Sequence, residues 1–302
     1  MTTRNTRPRP AETFAARGYV MLLTSTLVLS TTGVLIRFLL DTYHIPTLAL
    51  AFWRVLFVAL AMGGALLVFR RDLLRVERRH VPLFALYGAF GVGLHQLVWI
   101  ASVQNNGVGV ATVLVYVQPA IVALISWRFL GESLDRVKVF ALVLALSGVA
   151  LVSRAYEFGN INLNALGIVA GIGTGFTWSV YALLGRYTAR RYSAWTALFY
   201  AFAFGALTLL PLQLITQPAT TPLPLDGWGV LLMLALGPTL GGFALYTLGL
   251  SQLPASVATL LGTLEPVGSI VLAYFLFGEV LNGVQVVGAA FILWSVVMLR
   301  PR

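Results

Sequence analysis

The sequence predicts an all-α membrane protein with ten transmembrane helices arranged as two inverted five-helix repeats. Three observations predict this fold: a very apolar composition, long apolar runs between short polar segments, and an internal repeat. Hydrophobic residues make up 59% of the 302 residues and charged residues only 10%, with a mean hydropathy of +0.88. Because a soluble domain carries about 25% charged residues, most of this surface must face lipid.

Ten apolar segments approach the length of about 20 residues that a helix needs to cross a bilayer. They cover residues 18–40, 47–69, 82–103, 108–130, 137–153, 165–187, 194–216, 227–248, 255–276 and 283–299. The first run exceeds the roughly 7–15 apolar residues of a signal peptide, so we assign it as a transmembrane helix. The runs are continuous and do not alternate, which excludes a β-barrel.

The net charge of +10 resides in short segments between the apolar runs. With the N-terminus in the cytoplasm, the inside segments contain Arg4, Arg7, Arg9, Arg17, Arg70, Arg71, Arg75, Arg78, Arg79, Arg128, Arg136, Lys138, Arg186, Arg190, Arg191, Arg300 and Arg302. The outside loops contain only Arg154. This is the positive-inside pattern. It predicts cytoplasmic termini, a cytoplasmic tail over residues 1–17 and a bacterial inner membrane location, with no nucleic-acid partner.

The chain repeats itself at a shift of about 147 residues. The matched pairs are Val110–Thr112 with Val257–Thr259, Gln118-Pro119 with Glu265-Pro266, and Gly131-Glu132 with Gly278-Glu279. Each half, residues 18–153 and 165–300, contains five predicted helices, so the second half enters the membrane from the opposite face. Inverted repeats of this kind are typical of transporters.

The spacing from an intramembrane proline to Gly-Glu, present in both halves, resembles the EamA-type repeat of the drug/metabolite transporter superfamily. Arg54 also resembles an arginine of that family. Within the superfamily the chain is similar to bacterial aromatic amino acid exporters of the YddG type. The resemblance implies export of amino acids or related metabolites from the cytoplasm without ATP.

Two polar residues lie near the predicted bilayer midplane, where polar groups need a partner, a cavity or a function. Gln118 and Glu265 are repeat mates, and each precedes a proline. We predict that both residues contact substrate and that Pro119 and Pro266 act as hinges. The alternative is that the prolines only kink packed helices around internally bonded side chains. Glu265 is the only acidic residue within a predicted span, so proton coupling through it is a further possibility.

Aromatic and polar side chains also occur together at mid-membrane. His95 and Trp99 are four residues apart and share a helix face, and Trp178, Ser179 and Tyr181 form a second group. We predict that these five residues contact substrate, stacking on a flat or apolar side chain. The alternative is ordinary aromatic packing. A metal site at His95 is not expected, because the other two histidines lie in loops on opposite faces.

Arg54 lies within the second span, where it either binds a substrate carboxylate or has a structural role. The chain has no cysteine and no HExxH, G-x-S-x-G or Walker A motif, so we expect neither an enzyme nor a cofactor. The expected partners are a small-molecule substrate, such as an amino acid, and the lipid bilayer. The oligomeric state is open and compatible with a monomer. The competing functions are export of drugs or toxic cations by the same fold, and a channel or facilitative pore.

Overall fold

The computed structural model describes residues 10–157, 164–216, 223–278 and 280–299. Arg4, Arg7, Arg9, Arg300, Arg302 and Glu279, all of which entered the sequence analysis, lie outside this part. The described residues fold into ten long helical segments and contain no strand. The segments are α1 (Pro10–Tyr43), α2 (Thr47–Phe69), α3 (Arg78–Gly107), α4 (Gly109–Leu130), α5 (Arg136–Val152), α6 (Ala165–Thr188), α7 (Ala194–Thr216), α8 (Leu225–Gln252), α9 (Ala255–Leu276) and α10 (Gly283–Met298).

Eight of these helices in the described part of the chain are long and apolar enough to cross a membrane. The exceptions are α5 and α10, with 17 and 16 residues. The prediction of an all-helical membrane protein is therefore confirmed, and ten crossings stay a prediction. Helix α1 begins at Pro10, before the predicted start at residue 18. Hydropathy marks only the lipid-facing part of a helix, whereas residues such as Glu12 and Arg17 are good helix formers in water.

The two halves use the same residues to end and begin their helices. Gly131 and Gly278 adopt the left-handed conformation, with φ of +70° and +67°, at the ends of α4 and α9. Glycine tolerates this conformation because it has no Cβ. Asp135 and Asn282, also 147 residues apart, then cap α5 and α10 by accepting a hydrogen bond from the backbone N–H three residues on. The repeat therefore recurs in backbone geometry as well as in sequence.

Hydrogen bonds between chain segments divide the described loops into two groups at opposite ends of the bundle. One end, which we call the Glu132 end, is joined by Ala255 N to Glu132 Oε1 (2.8 Å), Tyr19 Oη to Leu299 O (2.6 Å) and Arg186 to Ser251 O (2.6 Å). The other, the Arg154 end, is joined by Tyr43 Oη to Asp226 Oδ2 (2.8 Å), Asn106 Nδ2 to Asn164 O (3.1 Å) and Arg154 to Gln285 Oε1 (3.3 Å). Successive loops alternate between the two ends.

Helices at equivalent positions in the two halves pack against each other in opposite directions. Helix α7 begins where α2 ends, because Thr196 Oγ1 donates to Leu73 O (2.8 Å). Helix α9 begins where α4 ends, at the Glu132 contact. Helices α5 and α10 meet through Arg154 and Gln285 at one end, and through Leu142 and Met298 at the other. Each of these three pairs is therefore antiparallel.

The loop between α2 and α3 is rich in exposed ion pairs. Arg70 donates to both carboxylate oxygens of Asp72 (3.1 Å each), and this hydrogen bonding lowers the pKa of Asp72 below its usual value. Arg79 donates to Glu77 (2.6 Å) and lowers the pKa of that carboxyl in the same way. These ion pairs are exposed to water and therefore contribute little to the free energy of unfolding.

Helices α5 and α10 approach each other closely at a pair of glycines. A Cβ on Gly148 would lie 2.6 Å from the carbonyl oxygen of Gly288, and one on Gly288 would lie 2.8 Å from the carbonyl oxygen of Gly148. Helix association in lipid depends on such close packing of small residues. The two shortest helices are held to each other by this crossing.

We therefore expect Gly148→Leu to destabilise the protein by about 1–3 kcal/mol or more, as overpacking does elsewhere. Gly64→Leu is the matched control, because Gly64 is exposed on α2 and no atom lies within 4 Å of a Cβ at that position. Thermal melting in detergent measures both variants. An unchanged melting temperature for Gly148→Leu would show that the crossing relaxes at no cost.

Candidate functional site

Helices α4 and α9 are each interrupted immediately before their Gln-Pro or Glu-Pro step. At these points Val117 N bonds to Leu114 O (3.3 Å) and Leu264 N bonds to Leu261 O (3.2 Å). At both places the N–H thus bonds to the carbonyl three residues earlier, whereas an α-helix uses the carbonyl four residues earlier. A proline cannot donate a backbone hydrogen bond and displaces the carbonyl four residues earlier. The two predicted hinges, Pro119 and Pro266, therefore follow real discontinuities in the helices.

A serine from the opposite half contacts each interruption. Ser30 of α1 donates to the carbonyl oxygen of Glu265 (3.0 Å), and its repeat mate Ser179 of α6 donates to that of Gln118 (3.4 Å). Ser179 also donates to Gly175 O (2.7 Å) and is almost fully buried. Its hydroxyl is thus occupied by backbone carbonyls and does not face a cavity.

The two residues before the prolines differ in their surroundings. Gln118 is buried, and its Oε1 atom has no hydrogen-bond partner among the described residues. Glu265 stays partly accessible and lies within electrostatic reach of Arg54 of α2. We place the candidate site at this point, between α2, α3, α6, α8 and α9.

Aromatic rings pack together beside the site. Trp178 of α6 stacks on Tyr181 with ring centroids 5.5 Å apart and an angle of 20° between planes. The His95 ring lies 5.0 Å from Trp178, and Phe243 and Tyr246 of α8 lie 5.4 Å and 6.1 Å from it. We call these five residues the aromatic cluster. It unites three of the predicted site residues, His95, Trp178 and Tyr181.

Hydrogen bonds hold part of the aromatic cluster in place. A nitrogen of His95, Nδ1, lies 3.2 Å from Thr177 Oγ1, and Tyr181 Oη lies 3.0 Å from Thr247 Oγ1. Tyr246 Oη, in contrast, is buried without a partner in the described part of the chain. Trp99 is partly accessible, and among the described residues no ring contact or hydrogen bond connects it to the aromatic cluster.

Arg54 of α2 belongs to the same site. It interacts electrostatically with Glu265 and with His95, and it is partly accessible. Its Nε atom is buried without a hydrogen-bond partner in the described residues, and no ion pair joins Arg54 to Glu265. Arg54 Nε, Gln118 Oε1 and Tyr246 Oη are three of the eight buried side-chain atoms that have no hydrogen-bond partner in the described part of the chain, and such atoms are uncommon in proteins.

The sequence reasoning missed Phe243 and Tyr246, although one signal was present. Tyr246 lies 147 residues after Trp99, so the internal repeat that relates Gln118 to Glu265 also points to Tyr246. Both residues follow a π-helical segment, Ala235–Gly241, as His95 follows Ala89–Leu94. Such segments widen a helix turn and are frequent at functional sites.

The Glu132 end of the bundle is closed across the two halves. The Glu132 carboxylate accepts hydrogen bonds from Ala255 N (2.8 Å), from Ser256 N (3.3 Å) and from the Ser256 hydroxyl, and so caps α9. At the opposite end a groove of about 490 Å³ lies beside α5, α9 and α10 and includes Arg154 and Ile270. None of the predicted site residues lines this groove.

The described residues contain no group of three or more histidine, aspartate or glutamate side chains placed to hold a metal ion. The chemistry of the site therefore rests on the aromatic rings, the amide of Gln118 and the two opposite charges.

The sequence profile of the EamA-like transporter family matches residues 16–154 and again residues 165–300. The chain belongs to the EamA-like transporter family. The two matches show that this EamA-like protein consists of two family repeats, and that it is a multi-pass membrane transporter and not an enzyme.

Three relatives of this EamA-like chain are named transporters or exporters. An uncharacterized transporter of Archaeoglobus fulgidus is 28% identical over 93% of the chain and 95% of its own length. A probable terminal-alkyne amino-acid exporter of Streptantibioticus cattleyicolor is 27% identical, covering 88% of each chain. The pseudopaline exporter CntI of Pseudomonas aeruginosa is 23% identical, covering 62% of this chain and 64% of its own.

A crystal structure of a protein 19% identical to this chain superimposes with a TM-score of 0.79, covering 94% of this chain and 97% of that one. At this identity the likeness concerns the fold alone.

The Tyr246 hydroxyl has no hydrogen-bond partner among the described residues, which leads to a prediction about thermal stability. We expect Tyr181→Phe to lower stability by about 1 kcal/mol, because it loses the hydrogen bond to Thr247. Tyr246→Phe should leave the melting temperature unchanged or raise it, because its hydroxyl has no partner to lose. Thermal melting of both variants in detergent without substrate makes the comparison. A larger loss for Tyr246→Phe than for Tyr181→Phe would place the Tyr246 hydroxyl in a structural contact.

Proposed function

We propose that this protein is a secondary transporter that exports amino acids, especially aromatic and other neutral ones, from the cytoplasm by alternating access. The observation that carries the proposal is the aromatic cluster beside the unpaired Arg54 and Glu265 side chains, inside a protein that crosses a membrane. A small molecule with one apolar, flat portion and one polar portion matches such a site.

The relatives support export as the direction and amino acids as the substrate class. One relative that covers most of the chain is named a probable terminal-alkyne amino-acid exporter, and another is named a pseudopaline exporter. A drug or toxic-cation exporter would use Glu265 alone. The positive charge of Arg54 within electrostatic reach of Glu265 argues against a purely cationic substrate.

We also propose that the chain crosses the membrane ten times and that its two halves are inverted relative to each other. Both features are supported by the alternation of loops between the Glu132 end and the Arg154 end, and by the antiparallel packing of equivalent helices. The Glu132 end then faces the cytoplasm, because it includes the basic segment around Arg186. Both termini lie in the cytoplasm in this arrangement, and the membrane is the bacterial inner membrane.

Alternating access follows from two halves that tilt about a shared centre. The Glu132 cap on α9 would close the cytoplasmic side and release when that side opens. Pro119 and Pro266 would serve as hinges, because the helices are already interrupted in front of them. The hydrogen bonds from Ser30 and Ser179 to the interruptions would keep the two halves in register during the movement.

The inverted arrangement predicts opposite accessibility for the two Gly-Glu segments. The chain has no native cysteine, so Ser133→Cys and Val280→Cys each introduce a single thiol, both at exposed positions. A membrane-impermeant maleimide applied to intact spheroplasts should label residue 280 and not residue 133, and inverted vesicles should give the reverse. Labelling of both from the same side would eliminate the inverted arrangement.

Transport itself is tested with the purified protein in liposomes, using a panel of the twenty amino acids and one organic cation, with and without a proton gradient. We expect saturable movement of aromatic and large neutral amino acids. Trp178→Ala should reduce transport of aromatic substrates about tenfold relative to small ones. The reason is that stacking of two aromatic rings contributes about 0.5–1.5 kcal/mol beyond the burial of their surface. Non-saturating ion flux would favour a channel, and selective movement of the cation would favour a drug exporter.

A further inference from the structure

Arg54 and Glu265 carry opposite charges, interact with each other electrostatically, and yet form no ion pair in the described structure. Opposite charges in a low-dielectric interior attract strongly, and a buried charge without a partner is costly. Two such charges normally contact each other or contact something between them. Their separation therefore indicates a species that bridges the space.

Each of the two side chains leaves donor or acceptor capacity unused. The Arg54 Nε is buried without a hydrogen-bond partner among the described residues, and no described residue donates a hydrogen bond to the Glu265 carboxylate. Both side chains also keep partly accessible surface. An arginine presents donors to a carboxylate, and a carboxylate accepts from an ammonium group.

The two charges adjoin the aromatic cluster through His95. His95 lies within electrostatic reach of Arg54, and its ring centroid lies 5.0 Å from that of Trp178. On the other side, Tyr116 lies within electrostatic reach of Glu265. A molecule whose polar head lies between Arg54 and Glu265 therefore has its remaining portion beside Trp178, which is partly accessible.

We infer that Arg54 and Glu265 jointly bind the zwitterionic head of the substrate, with its carboxylate on Arg54 and its ammonium on Glu265. This inference rests on the proposed function and specifies the substrate class of the same site. An amine without a carboxylate leaves Arg54 unpaired, and an acid without an amine leaves Glu265 unpaired. The site therefore binds both of these molecules more weakly, because each leaves one charged side chain without a partner.

Three ligands with the same ring test the inference: an aromatic amino acid, the amine formed by its decarboxylation, and the acid that lacks the amino group. Equilibrium binding is measured on the full chain purified in detergent. The wild-type protein should bind the amino acid at least about tenfold more tightly than either other ligand, because a hydrogen bond to a charged group contributes about 1.5–3 kcal/mol.

Single substitutions should change this ranking in opposite ways. Glu265→Gln should weaken the amino acid and the amine and leave the acid unchanged or tighter, so that the amino acid loses its advantage over the acid. Arg54→Gln should remove the advantage of the amino acid over the amine, and Arg54→Lys should partly restore it. Each ranking is measured within one preparation, so a fraction of unfolded protein does not alter it.

Glu77→Gln and Arg79→Gln are the matched controls, because they remove the same charges from an exposed loop and should leave the ranking unchanged. Equal weakening of all three ligands in both site variants, or an unchanged ranking, would overturn the zwitterion inference while amino acid transport in liposomes still stood. If the wild-type protein neither binds nor transports any of the three ligands, the proposed function fails as well.

Discussion

A helix that is interrupted inside a bilayer must pack against protein, because lipid offers no hydrogen-bond partner to irregular backbone. Ser30 and Ser179 contact the residues just after the interruptions, where they donate to the carbonyl oxygens of Glu265 and Gln118 as well as to carbonyls of their own helices. Each serine belongs to the half that does not contain the interruption it contacts. The interrupted helix of each half therefore packs against the other half, and the arrangement of the bundle follows from this exchange.

The same exchange explains why the candidate site is central. Irregular backbone at membrane depth is tolerated where protein or a cavity surrounds it, and both conditions meet between the two halves. Polar atoms that would be too costly facing lipid are placed there, including the guanidinium of Arg54 and the carboxylate of Glu265. The aromatic cluster on α3, α6 and α8 adjoins these charges through His95, and its His95, Trp178 and Phe243 rings keep accessible surface.

In the rest of the bundle the two halves have the same order and packing of helices, but different side chains at equivalent positions. Equivalent helices pack antiparallel, and Gly131 and Gly278 end α4 and α9 in the same left-handed conformation. The side chains at equivalent positions are not the same, however. Gln118 corresponds to Glu265 and Trp99 to Tyr246, so a single site with one acidic group arises at the centre of a nearly symmetric framework.

The sequence by itself determined the membrane class, the helix content and the repeat, because these depend on composition and on spacing along the chain. It also indicated Arg54, His95, Trp178, Tyr181 and Glu265, since polar or aromatic residues at membrane depth are conspicuous in an apolar chain. Only the tertiary structure decided which of these face one space. Ser179 contacts backbone carbonyls, Trp99 stands apart from the aromatic cluster, and Tyr246 joins it. The physical reason is that accessibility depends on how helices rotate and pack against partners from the other half, and hydropathy along one chain does not encode that rotation.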